Sequence, residues 1–336
     1  MSTAVVILNY NGEGHLASFL PSVVKYTPPT VDIVVADNGS SDGSLELLTK
    51  ELKSIKIIAL GENYGFAEGY NRALASLDYT YVVLLNSDVE VTASWCEPLI
   101  AELESDDKIG AVAPKLLSFN DRAYFEYAGA SGGYIDWLGY PFCRGRILAT
   151  AEKDTGQYDD KRNLFWVSGA AFACRLATFK RLGGFDSDFF AHMEEIDLCW
   201  RMQLAGLAVR IIPQSKVYHL GGGTLNVGSP KKLRLNYRNN LAMLYKCSPT
   251  SQRIVVAIAR PVLDALSALI YLLKGEIANA KAVMLAYRDF IAWHKSLAHK
   301  RKAIRTKRIA ESKHIYHGSI ILRYMFGNKH FNQLMK

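Results

Sequence analysis

Val31-Asp-Ile-Val-Val-Ala-Asp-Asn-Gly-Ser-Ser-Asp42 is an apolar run that ends on a carboxylate and passes through a turn to a helix-capping residue. A nearly continuous run of Val, Ile and Ala suits a strand covered on both faces. Asn-Gly supplies the turn, and Asp42 with Glu46 behind it opens a helix over 42–53. The same unit recurs on both sides. Runs 3–9, 55–60 and 80–85 read as further strands, and 14–26 and 66–77 as helices, with Pro21 expected to split or kink the first. Strand–helix repetition of this kind implies an α/β fold, a mainly parallel twisted sheet flanked by helices.

Ligands of such sheets sit beyond the carboxyl ends of the strands. Those ends read Asn9-Tyr-Asn11, Asp37-Asn38, Asn63-Tyr-Gly65 and Asn86-Ser-Asp88. Turn preference accounts for any one of them. Four on one rim point to a polar binding site. The first strand runs into Asn9-Tyr-Asn-Gly-Glu-Gly14, not G-x-G-x-x-G, and there is no P-loop, so the common dinucleotide and triphosphate folds are excluded.

Three later stretches carry ionisable groups. Asn86-Ser-Asp88-Val-Glu90 follows the apolar Tyr81–Leu85 and can offer oxygen ligands to a hard divalent cation, which takes few protein carboxylates when phosphates complete its shell. Glu194-Glu-Ile-Asp-Leu-Cys-Trp-Arg201 reads as a helix start, either a surface ion-pair ladder or a carboxylate raised beside a second acid into general-base range. Tyr218-His219-Leu-Gly-Gly-Gly-Thr224 sets one histidine before a glycine run suited to close approach of a phosphate. Arg238 lies in a helical run, where it is either solvated or grips a diphosphate.

The order of these stretches resembles the family-2 glycosyltransferases of the GT-A fold, in a rhamnosyltransferase-like branch. The matching segments are Asn9-Tyr-Asn11-Gly, Val35–Gly43, Glu62–Asn71, Leu85–Asp88, Val167–Ala170, Gly183–Asp186, Glu194–Arg201 and His219. The resemblance implies that Asn9, Asn11 and Asp37 hold the nucleoside of a nucleoside-diphosphate sugar. It implies that Asn63, Gly65 and Asn71 shape the donor pocket, and that Asn86, Asp88 and Arg238 lie at the diphosphate. Mg2+ or Mn2+ would be held by Asp88 and His219. The usual D-x-D reads Asn86-x-Asp88, one carboxylate short. Ser168, Gly169, Ala170, Glu194, Asp197 and Trp200 would line the sugar and acceptor subsites. Glu195 would be the catalytic base, with Glu194 as the competing assignment. The implied reaction is inverting transfer from a dTDP-rhamnose-like or UDP-sugar donor to a hydroxyl of a lipid-linked or surface-polysaccharide glycan. The alternative is a nucleotide-sugar-binding protein of the same fold without turnover.

Composition is consistent with this reading. The 336 residues are 49% hydrophobic and 21% charged, which excludes disordered and collagenous classes. Five cysteines occur without any C-x-x-C pair, so neither a disulfide framework nor a zinc site is expected and a reducing compartment fits. The strand-like Thr3–Leu8 stands where an export leader would, and none is expected. Charge divides the chain into an expected catalytic region 1–248 and a basic helical region 249–336. Residues 250–336 carry 16 Lys/Arg against 4 Asp/Glu, a balance of +12, whereas residues 1–249 stand at −4.

Such a tail seeks an anionic partner. No RNA-recognition fold or aromatic platform accompanies it, so nucleic acid is not expected. Residues 254–273 are long enough to span a bilayer, but Arg260 and Asp264 fall inside. Two such charges cost ~5–7 kcal/mol near the centre against ~3–7 returned by eleven Val, Ile and Leu. An interfacial or body-packed helix is expected instead. Farther on, Val283, Phe290, Leu297 and Ile304 recur every seven residues, with Lys281, Arg288, Lys295 and Lys302 about 200° away around a helix. With Tyr287, Trp293 and the run Lys300–Arg308, this reads as a face for an anionic membrane. The expected location is therefore cytoplasmic, peripheral on the inner face of the cytoplasmic membrane. A homodimer through these helices is left open.

Overall fold

The computed structural model describes residues 1–51, 55–221 and 228–334. Part of the expected glycine loop, Gly222 to Thr224, lies outside them. The strands are β1 (Thr3–Asn9), β2 (Val31–Asp37), β3 (Lys56–Ala59), β4 (Tyr81–Asn86), β5 (Val89–Val91), β6 (Ile109–Ser118), β7 (Gly133–Asp136), β8 (Pro141–Cys143), β9 (Arg146–Ile147), β10 (Thr150–Ala151), β11 (Arg162–Leu164), β12 (Ala171–Arg175), β13 (Ala208–His219) and β14 (Ile315–Tyr316). The helices that position the site are α1 (Glu13–Tyr26), α2 (Ser44–Glu51), α3 (Gly65–Ala75), α4 (Glu97–Ser105), α5 (Leu176–Arg181), α6 (Glu194–Leu204) and α7 (Pro230–Cys247). They are followed by α8 (Thr250–Leu273), α9 (Ile277–Ala292) and α10 (His294–Thr306).

Among the described residues the main sheet runs β11-β13-β6-β12-β4-β1-β2-β3, with β5 paired to β13. The pairs β1–β2, β1–β4, β2–β3 and β6–β13 are parallel. β12 is inserted antiparallel between β4 and β6, which makes the sheet mixed. Alternate residues explain the unbroken apolar runs. Ala4, Val6, Val34, Val82 and Leu84 face the layer that contains Tyr70, Leu74 and Trp200, while Val5, Ile7, Val35, Val83 and Leu85 face Leu16, Leu20, Val23 and Leu99. Each fully buried Val or Leu contributes about 1.5–3 kcal/mol.

α1 continues through Pro21. The carbonyl that proline cannot satisfy belongs to Ala17, which, like Pro21, is exposed and open to water. The second sheet, β10-β9-β8-β7-β14, takes its last strand from the C-terminal region. Ile320, Phe331 and Leu334 are buried beyond it in the main core.

The expected heptad face of 281–304 divides between α9 and α10 at Trp293. Val283 and Leu297 are buried and Phe290 packs against the same core, so this apolar line covers the body instead of facing a membrane. In α8 the two charges also turn inward. Arg260 donates to Leu138 O (2.9 Å) and Asn240 Oδ1 (2.6 Å), and Asp264 accepts from Tyr287 Oη at 2.7 Å.

Candidate active site

Parallel register sets the rim level. Asn9 stands opposite Asp37, and Leu8 opposite Asn86. Asn9 Nδ2 donates to Asp37 Oδ1 (3.3 Å) and Ser40 Oγ (3.2 Å), while Asp37 Oδ2 accepts from Ser40 N at 3.0 Å. Asn9 Oδ1 is buried and has no hydrogen-bond partner among the described residues, so an acceptor stands open beside Asp37. Gly12 is required there, because a Cβ would lie 2.4 Å from that oxygen. Asn11, with φ 47°, accepts from Ser41 N at 2.7 Å and ties the first loop to the second.

The rim continues through β4 to β12. Asn86 N donates to Ala170 O at 2.9 Å, which sets Gly169 and Ala170 beside the acidic turn. A Cβ on Gly169 would meet Glu195 Cβ at 3.6 Å and the Phe66 ring at 3.6 Å. Asp37, Asn9, Asn86, Ala170 and Gly169 thus follow one another along one rim, with Glu195 next to Gly169. Ser168 is buried, its hydroxyl donating to Ala128 O, so it braces the strand end, and the buried Gly169 is the residue next to Glu195.

Asp88 lies two residues past β4, and His219 ends β13. Leu220 N donates to Asp88 O at 3.0 Å, and His219 Nε2 is 3.2 Å from Asp88 Oδ1. On the other side of the ring, Nδ1 lies 3.3 Å from Glu126 Oε1. Burial opposes charge on this ring, but Glu126 and Asp88 outweigh it and raise the pKa to about 10. Burial likewise pushes Asp88 up, and His219 more than reverses the shift. A proton here occupies the place of a small cation between buried carboxylates. The Asp88 carboxylate would suit Mg2+ or Mn2+, with the His219 imidazole as a softer second ligand. Among the described residues no cluster of three His, Cys, Asp or Glu side chains forms a self-sufficient metal site. Glu90 is engaged by Arg122 at 2.9 Å and does not replace the missing carboxylate at Asn86.

Glu194 and Glu195 open α6 after an unusual turn. Phe190, His192 and Met193 all have positive φ (64°, 71° and 72°). Non-glycine residues hold such angles only when their surroundings impose them. Asn239 imposes them, because its Nδ2 donates to the carbonyls of Phe189 (3.0 Å), Ala191 (2.9 Å) and His192 (2.8 Å). Burial, with the neighbouring Glu195 carboxylate adding to it, drives Glu194 well above the usual glutamate range. Burial raises Glu195 to about 7. Glu194 is closed off from solvent, whereas Glu195 is half-buried, its Oε2 enclosed and without a hydrogen-bond partner among the described residues.

The sequence model of glycosyl transferase family 2 matches residues 4–183, more than half of the chain. The chain belongs to glycosyl transferase family 2. Among its relatives is the N-acetylglucosaminyl-diphospho-decaprenol L-rhamnosyltransferase of Mycobacterium tuberculosis, 28% identical over 231 residues that cover 64% of this chain and 75% of the relative. The fold is shared with residues 1–349 of Staphylococcus aureus TarS in complex with UDP-GlcNAc (TM-score 0.57, 16% identity, 91% of this chain and 88% of that one). It is shared too with the mannosyltransferase PcManGT of Pyrobaculum calidifontis in complex with GDP-Man and Mn2+ (TM-score 0.51, 14% identity, 91% and 85%).

Several family-motif residues in this glycosyltransferase are engaged in bracing. Asn63 accepts from Gly65 N at 2.9 Å, and Gly65 (φ 77°) abuts Phe190, where a Cβ would collide with ring and carbonyl. Asn71 grips the backbone of Phe185 through both amide atoms at 2.9 Å. Both clamp α3 to the segment that leads into Glu194. Arg238, expected at the diphosphate, instead donates to the Asp188 and Phe189 carbonyls and lies over the Trp293 ring. Asp197 and Trp200, expected at the acceptor, are fully buried. Asp197 pairs with Arg201 and Lys246, both at 2.8 Å, and Trp200 packs edge-on against Phe165. Sequence reasoning missed Glu126 and Asn239. The first sits in a loop without a motif, and the second was overshadowed by its charged neighbour.

Proposed function

We propose that this glycosyltransferase moves a sugar from a nucleoside-diphosphate donor to a hydroxyl of a lipid-linked glycan, with inversion and with help from Mg2+ or Mn2+, at the cytoplasmic face of a membrane. Residues 1–248 form the catalytic part in this reading and 249–336 the membrane-associated part. The observation that carries it is the half-buried Glu195, raised to about 7, on the same rim as Asp37 and the Asp88–His219 pair. Asn9 and Asp37 receive the nucleoside, one through an open acceptor and one through a fixed carboxylate. Asp88 and His219 hold the cation. Its chemistry when bound is to neutralise charge developing on the departing diphosphate. Glu195 takes the proton of the acceptor hydroxyl as that oxygen attacks the anomeric carbon, and a single displacement inverts the centre. The acceptor in the mycobacterial relative's name, N-acetylglucosaminyl-diphospho-decaprenol, supports a lipid-linked acceptor, and its L-rhamnosyl group supports dTDP-rhamnose beside UDP-sugars.

The test is release of nucleoside diphosphate from dTDP-rhamnose and UDP-sugars with such an acceptor and Mn2+. Acceptor-dependent release supports the reading. Donor binding without release under every combination supports a binding protein, the outcome consistent with the missing carboxylate at Asn86.

A further inference from the structure

The outer face of α8 is apolar along its whole length. Ile254, Ile258, Val262, Leu266, Leu269 and Leu273 recur at spacings of three and four, which confines them to one stripe of the helix. They are exposed, Ile258 at 70%, Val262 at 67% and Leu273 at 79%. The opposite line of Gln252, Val256, Arg260 and Asp264 is buried on the body. Between Ile254 and Leu273 the only charges are Arg260 and Asp264, and both point inward, so the stripe carries none.

The surroundings are strongly basic. Residues 250–336 hold a balance of +12. Lys274, Lys281, Lys295, Lys302 and Arg305 are exposed. Arg253 of the first turn of α8 joins Arg301, Lys302 and Arg305 around a cleft of about 490 Å3. An uncharged stripe carried by so basic a region complements an anionic lipid surface, where acyl chains meet the stripe and phosphates the region's exposed cations.

We propose that α8 is the membrane-docking face, lying in the plane of an anionic bilayer with the Ile254–Leu273 stripe sunk among the lipids. This deepens the membrane location proposed above and rests on that part of the reading. The inner line of α8 favours this in-plane course over a transmembrane one. Spanning would pull Arg260 from Leu138 and Asn240, and Asp264 from Tyr140 and Tyr287. The Arg260–Asp264 pair, 3.3 Å apart within α8, would travel with the helix but would lose those partners on the body.

The test is flotation of the full chain with vesicles of phosphatidylcholine alone and of phosphatidylcholine mixed with phosphatidylglycerol. The wild type floats with the mixed vesicles and much less with phosphatidylcholine. Ile258→Glu combined with Leu266→Glu lowers the bound fraction on the order of tenfold or more. The milder pair Val262→Asn and Leu269→Asn lowers it less and guards against misfolding, which circular dichroism monitors. A wild type that stays in solution with mixed vesicles overturns the proposal, as does a folded variant that floats like the wild type. A wild-type dimer that the substitutions split, with flotation unchanged, assigns the stripe to a second copy and also overturns it. Nucleotide binding measured without vesicles on the same samples separates these outcomes from failure of the glycosyltransferase reading.

Discussion

His219 stands 3.2 Å from Asp88 and 3.3 Å from Glu126, so one buried imidazole joins carboxylates from two distant segments of the chain. Glu126 is itself fixed, its other oxygen accepting from Ala128 N. A carboxylate behind a histidine sets the tautomer and ring orientation that the metal-facing nitrogen needs. Glu126→Gln should weaken Mn2+ binding by about 10–100-fold, the range for such supporting groups. Electron paramagnetic resonance titration of Mn2+ in the presence of UDP or dTDP reads this directly. Unchanged affinity would leave Glu126 a purely structural residue.

A base must be deprotonated to act. With Glu195 raised to about 7, kcat/KM should climb with pH, reach half its maximum near that value and level off above it. Glu195→Gln should lower turnover by ~10²–10⁴-fold with donor binding nearly intact. Near-normal turnover in that variant would transfer the role to Glu194.

Asn239 acts on Glu195 through the backbone it holds. Asn239→Ala removes three hydrogen bonds from the left-handed turn before α6 and should let water reach the carboxylate. The expected result is a fall in kcat with donor KM little changed, together with a shift of the pH midpoint toward the ordinary glutamate value. A fall in stability with the pH midpoint unmoved would contradict a positioning role.

Lys246 is 2% exposed and bridges the buried Asp197 and Asp186, whose side chain is largely enclosed. Removing one partner of such a cluster strands the others, so Lys246→Met should cost about 3–5 kcal/mol in urea unfolding. Burial pushes Asp186 up, but Lys246 and Lys300 hold it well below the usual carboxylate range. The sign follows from that depression. Its contribution is present above the ordinary aspartate pKa and is lost only as pH falls through the lowered value. Stability of the wild type at pH 5 equal to that of Lys246→Met would contradict this.

The parallel half of the sheet was legible because strands covered on both faces must be apolar throughout, and Val31–Ala36 and Tyr81–Leu85 are. The rim was legible because Asn9, Asp37 and Asp88 end those same strands. Sequence did not show that β12 enters antiparallel, since a buried strand reads alike in either direction. The heptad line through Val283 and Leu297 had the right periodicity but the wrong partner, because periodicity identifies a face and not what covers it. Arg238 carries a similar ambiguity. A guanidinium suits backbone carbonyls as well as phosphate, and only three-dimensional placement separates them. Glu126 lay beyond reach, since its neighbour in space is ninety-odd residues away in sequence and no motif links them.

Whether these residues share one donor site is decided by a crystal structure of the Glu195→Gln variant with a nucleoside-diphosphate sugar and Mn2+, read by the anomalous signal of manganese. The expected result is one manganese peak within bonding distance of Asp88 and His219, the nucleoside against Asn9 and Asp37, and the sugar beside Gly169 and residue 195. A metal peak elsewhere, or a nucleotide bound away from that rim, would contradict it.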